Sequence, residues 1–164
     1  MVRRGTVLLG ALLWSYGVLL LVLKSPTMTG QPVVNPNPTP DRITLAIAIL
    51  QAAPSLSSAA VGVAGITPTE ALAWRTLLQD PEAGKRFKDL LAGASPAGRL
   101  YALMGLQLTD RESYRQARKT LVLQGGSVRT FRGCIVSTER IADVVQEIDT
   151  GRWTSELLAG RVFP

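Results

Sequence analysis

One feature constrains this chain more than any other: a charge-free run from Gly5 to Leu23, opened by Arg3 and Arg4 and closed by Lys24. At about 1.5 Å of rise per residue, the run makes roughly 28 Å of helix, close to the hydrocarbon thickness of a bilayer. A cleaved signal peptide also starts basic and turns apolar. Its apolar region is shorter, however, about 7–15 residues, and ends in small residues at a cleavage site. Here the run ends Val22-Leu23-Lys24-Ser25-Pro26, a poor cleavage position, with no cysteine following to accept a lipid. Residues 1–24 are therefore read as a short N-terminus and an uncleaved transmembrane anchor. Arg3 and Arg4 face only Lys24 across the span, and the next basic residue is Arg42. The positive-inside rule then puts the N-terminus in the cytoplasm and the rest outside, which in a bacterial inner membrane is the periplasm.

Small residues mark one side of this helix: Gly10, Ala11, Ser15 and Gly17, with Ala11 and Ser15 spaced i, i+4. That spacing lets a second helix approach closely. Trp14 and Tyr16 lie mid-span, where lipid tails offer no partner for an indole N–H or a phenol. These six residues form the candidate packing face toward other membrane subunits.

Ser25 to Pro40 holds Pro26, Pro32, Pro36, Pro38 and Pro40. Proline at alternate positions excludes helix and favours an extended spacer, so residues 25–41 are read as a linker and 42–164 as an extracytoplasmic domain. The stretch from Ile43 to Thr69 is again uncharged, but Gln51, Pro54, Ser55, Ser57 and Ser58 interrupt it. It is read as two short buried helices broken at Pro54, not as a second span.

Beyond it, Thr67-Pro68, Asp80-Pro81 and Ser95-Pro96 each put a capping side chain before a proline at the first helical position. Thr67 with Glu70, and Thr109 with Glu112, have capping-box spacing. Helices are predicted near 68–79, 81–92, 96–108 and 110–121. A further one, near 138–149, is predicted from a cap at Ser137 to a stop at Gly151. Its Ile141, Val144, Val145 and Ile148 mark one buried face. Leu121–Leu123 and Val128–Val136, around Gln124-Gly125-Gly126-Ser127, predict a short β-hairpin. At an offset of thirty residues, Leu78, Asp80, Glu82, Lys85, Lys88 and Leu91 correspond to Leu108, Asp110, Glu112, Arg115, Arg118 and Leu121. With Ala102-Leu103-Met104-Gly105-Leu106 and Asp110, this faintly resembles helical-hairpin repeats of the HEAT type over about two hairpins. The resemblance implies a shape of stacked antiparallel helices and no particular activity. The expected fold is thus mainly α: one transmembrane helix plus a small helical domain with a β-hairpin.

Chemistry is restricted by composition. The chain has no histidine and a single cysteine, Cys134. This removes the usual general base, the serine and cysteine triads, the commonest metal ligand and any internal disulfide. Within Gly-Cys-Ile-Val, Cys134 reads as a small buried hydrophobe. Asp143 and Glu147 read as an exposed face, no motif supports a Ser–Lys dyad at Ser95 or Ser127, and Gly125-Gly126 lacks what a phosphate loop needs. No enzyme, cofactor or metal is expected.

From Lys85 to Arg132 ten basic residues stand against three acidic ones. Arg111, Arg115 and Arg118, with Lys119, form a basic stripe, and Glu139, Asp143 and Glu147 an acidic one. The basic stripe is either a solvated face or a docking face for an acidic partner or anionic headgroups; nucleic acid is not expected outside the cytoplasm. The tail carries Trp153, Leu157, Leu158 and Phe163. These either cover their own core or, with Trp153, Leu157 and Phe163 as anchors, insert into a neighbour. The chain is expected to be a non-catalytic accessory subunit of a bacterial membrane complex, contacting the lipid bilayer and other subunits. The alternative is a free-standing anchored adaptor, inhibitor or immunity protein that binds a soluble protein.

Overall fold

The computed structural model describes residues 38–159. The anchor with its candidate packing residues Gly10, Ala11, Trp14, Ser15, Tyr16 and Gly17, most of the spacer, and Phe163 lie outside the described residues. What is described is mainly helical, with seven helices and a small three-stranded sheet. Among these residues no helix is long and apolar enough to cross a membrane.

Helix α1, Pro40–Gln51, starts two residues earlier than the linker boundary at 41 predicts, because Pro40 takes the first helical turn instead of ending the spacer. It buries Ile43, Ala46 and Leu50 and ends before Pro54. The second predicted helix of this stretch is not formed. Leu56–Val61 is strand β1, which runs parallel to a strand seventy residues later, with Leu56 opposite Thr130 and Ser57 opposite Phe131. Leu56, Ser57, Ser58 and Ala59 are all buried. A strand covered on both faces shows no alternation, so its uncharged run cannot be told from helix by pattern alone.

Helices α2 (Thr69–Leu78), α3 (Ala83–Gly93), α4 (Pro96–Thr109) and α5 (Arg111–Gln124) follow near the predicted places. However, α2 and α3 start after Pro68 and Glu82 with no side-chain cap, so Pro68 and Pro81 are not their first helical residues. The Ser95 cap is as its sequence implies: its Oγ accepts from the Gly98 N–H at 3.0 Å. Before α5 the cap is Asp110, not Thr109; Asp110 Oδ1 accepts from the N–H groups of Glu112 and Ser113, while the Thr109 hydroxyl donates back to Gly105 O. Asp80, thirty residues earlier, accepts from Glu82 N–H in the same way.

Helix α4 is the centre of the core. Leu100, Tyr101, Ala102, Leu103, Met104 and Leu106 are all fully buried. Two glycines let its neighbours come close. A Cβ on Gly98 would lie 2.2 Å from the Leu50 carbonyl oxygen, and one on Gly105 would lie 2.4 Å from the Phe87 ring. The buried Tyr101 hydroxyl accepts from Ser57 N–H (2.9 Å) and donates to Ser57 O (3.3 Å). It thereby satisfies strand groups that no neighbouring strand takes, and burial pushes its phenol well above the usual range.

The hairpin lies later than its turn residues predict. Leu121–Leu123 belong to α5, which Gly125 terminates at φ 65°. Strands β2 (Ser127–Gly133) and β3 (Ile135–Arg140) pair antiparallel, and the chain reverses at Gly133, φ 57°, and Cys134. Strand β2 is central in the order β1-β2-β3. Because Ser137 to Arg140 remain in β3, helix α6 is Ile141–Asp149 and starts after the predicted position, without a side-chain cap. Its Ile141, Val144, Val145 and Ile148 are buried as their spacing requires.

Candidate functional site

The tail is helix α7, Arg152–Ala159, packed on β1 and α6. Trp153 and Leu157 are fully buried in the domain's own core. Two hydrogen bonds hold the segment: Arg75 Nε donates to Leu157 O (2.9 Å) and Thr154 Oγ1 to Gln107 Oε1 (2.7 Å), while the same Gln107 donates from Nε2 to Ile148 O of α6 (2.7 Å). Insertion of Trp153 and Leu157 into a neighbour would empty this core, so these two are corrected from docking anchors to core residues. Phe163 lies outside the described residues.

The basic stripe divides in two. Arg118 is committed: its guanidinium lies 2.7 Å from the Asp149 carboxylate, which also accepts from the Tyr114 hydroxyl. The Arg118 hydrogen bond, opposed by partial burial and helped by Tyr114, holds the Asp149 carboxyl below its usual range. Arg115 pairs with Glu112 at 3.1 Å. Arg111 and Lys119 are exposed and make no ion pair among the described residues. Nor is the acidic stripe one face. Glu139 sits in β3 and accepts from Thr130 and Ser137, Asp143 pairs with Arg140, and Glu147 pairs with Arg132 and Arg152. The Arg132 guanidinium lies over the Trp153 ring, 4.2 Å from its centre, so this network clamps α7 to the sheet. Ser95 is likewise structural, since its hydroxyl donates to Ala53 O at 2.7 Å.

What sequence reasoning missed lies at one end of the sheet. After β1 the chain reverses through Gly62-Val63-Ala64-Gly65. Val61 and Ile66 exchange two backbone hydrogen bonds of 2.9 Å each, and Gly62 and Gly65 adopt φ of 72° and 62°. The Gly62 N–H donates to Gly133 O at 2.8 Å, which fixes this reversal beside the β2–β3 turn. Val63 is 99% exposed, Ile135 69%, Ile66 66% and Val136 54%. Cys134, expected to be buried, is exposed among them because it forms the turn itself. Compared with known proteins, the chain matches no family model, no curated protein and no solved structure. The missed signal was the pair of glycines bracketing Val63-Ala64, which marks a turn carrying apolar side chains outward.

Scattered exposed aliphatic residues are ordinary on a protein surface. Four large ones at and beside two adjoining turns, near a thiol, with Ile135 and Val136 leaving opposite faces of β3, make an apolar tip at one end of the sheet, supported by backbone hydrogen bonds. Such a tip offers burial, not bond-making chemistry.

Proposed function

We propose that this chain is a non-catalytic, single-pass accessory subunit of a bacterial inner-membrane complex, and that its outer domain docks on a partner subunit through the sheet tip. The anchor is the Gly5–Leu23 run, with its small-residue face toward neighbouring helices, and the domain stands in the periplasm at the end of the proline-rich spacer. The exposed tip of Val63, Ile66, Ile135 and Val136 is the observation that carries the docking role. Burying a side chain of this kind contributes about 1.5–3 kcal/mol, so two or three of them at the centre of an interface are enough to anchor it. Charged groups with partners inside the domain, Arg118 and Glu147 among them, are left to its architecture.

The test is co-purification of the full chain from membranes in mild detergent, comparing wild type with V63D combined with I135D. Both side chains project into solvent, so the double variant is expected to insert and fold normally while losing at least tenfold in recovered partner. Undiminished recovery, from a variant that melts like wild type, contradicts docking through the tip.

A further inference from the structure

Away from the sheet tip, helices α3 and α5 and the first turn of α4 enclose an open cleft of about 370 Å³. Its size falls at the small end of ligand sites. Leu91, Ala117 and Leu121 provide apolar lining, and the polar lining includes Gln116 and Thr120 on successive turns of α5. Two cations, Lys88 and Arg99, line it, and no carboxylate does.

These cations differ from the committed arginines nearby. Arg86, two residues before Lys88, pairs with Asp80 and Glu82. Lys88 is exposed and makes no ion pair among the described residues. Arg99 donates from Nη1 to Gln124 Oε1 at 2.9 Å, but its Nε is buried with no hydrogen-bond partner. The Arg99 guanidinium thus has a neutral amide as its acceptor and no carboxylate beside it in the cleft, so both lining cations keep their charge for a bound anion. Asp110, close enough to Lys88 to feel its charge, already accepts from Glu112 N–H, Ser113 N–H and the Ser113 hydroxyl. Its carboxyl is held below the usual range chiefly by that hydroxyl.

We infer that the cleft between α3 and α5 binds a phosphate monoester with a short apolar body, its head taken by Arg99 and Lys88 and its body lying on Leu91 and Leu121. Arginine supplies the directional donors that match phosphate geometry, and lysine adds a mobile charge. The apolar lining selects against inorganic phosphate alone. A soluble metabolite and a lipid headgroup share this chemistry.

The experiment is calorimetric titration of the full chain in neutral detergent with hexyl phosphate, and separately with lysophosphatidic acid. Saturable binding of either is expected, weakened at least tenfold in K88Q and more in R99Q. Tighter binding of hexyl phosphate points to a soluble ligand, and tighter binding of lysophosphatidic acid to a headgroup. Because Lys88 makes no hydrogen bond or ion pair among the described residues, K88Q keeps the test meaningful even if R99Q lowers stability. Absence of binding by both probes, or binding that K88Q leaves unchanged in a variant that melts like wild type, overturns the assignment. Inorganic phosphate bound as tightly as hexyl phosphate overturns it too.

Discussion

Two sets of apolar side chains beside the small sheet meet opposite environments. On one side, Trp153 and Leu157 of α7 are fully buried, with Trp153 under Arg132, which is held in turn by Glu147 and Glu156. At the far end, Val63, Ile66, Ile135 and Val136 stand in solvent at and beside two turns that the Val61–Ile66 and Gly62–Gly133 hydrogen bonds tie together. Hydropathy does not separate these sets, since both are rich in large apolar residues. What separates them is whether the chain supplies a cover. The tail supplies one as an amphipathic helix, and nothing among the described residues covers the tip. Burial at α7 is therefore a matter of stability, and exposure at the tip is what the proposed docking role rests on.

Stability measurements sharpen this contrast most. W153A is expected to cost about 3–5 kcal/mol in denaturant unfolding of the full chain, from the emptied volume and the lost stacking on Arg132. V63S and I135S are each expected to stay within about 0.5 kcal/mol. A W153A variant as stable as wild type would mean that α7 is not part of the core. Next in size is the approach of helices to α4. G98A puts a methyl group against the Leu50 carbonyl, a backbone atom that cannot rotate away, and is expected to cost about 1–3 kcal/mol. Calorimetry of the variant checks this.

A smaller effect follows from Asp149, which ties α6 to α5. Its folded pKa lies below the ordinary value, so its contribution is complete above the unfolded pKa of about 3.9 and is lost as pH falls through the depressed folded value. Thermal midpoints measured from pH 6 downward should fall in that acid window for wild type and fall less for D149N. Parallel curves would show that the Arg118–Asp149 pair adds nothing.

Most of the helices were legible because their determinants are local. Ser95-Pro96 announces α4, and the i, i+3, i+4, i+7 spacing of Ile141, Val144, Val145 and Ile148 announces the buried face of α6. Strand β1 was not legible, since its partner lies seventy residues on and its burial on both faces removes the alternation that marks a strand. The hairpin was displaced because Gly125 and Gly126 look like a turn, whereas Gly125 ends a helix. The candidate site was the least legible part. Val63 and Ile135 are far apart in sequence and are brought to one end of the sheet by the pairing of β1 with β2 and the Gly62–Gly133 hydrogen bond. For Trp153 the sequence leaves core and anchor open because its cover, Arg132, is not local.

Cys134, the chain's single cysteine and part of the tip, offers the most direct test of docking. Membranes are opened so that both sides are accessible, treated with a hydrophilic thiol reagent, and compared with the chain stripped of partners in stronger detergent. If the tip is an interface, labelling of Cys134 should be fast in the stripped chain, at least tenfold slower in the membranes, and fast again there in V63D. Equal labelling rates in membranes and detergent would show that the tip is open in its native setting, and would contradict the docking role.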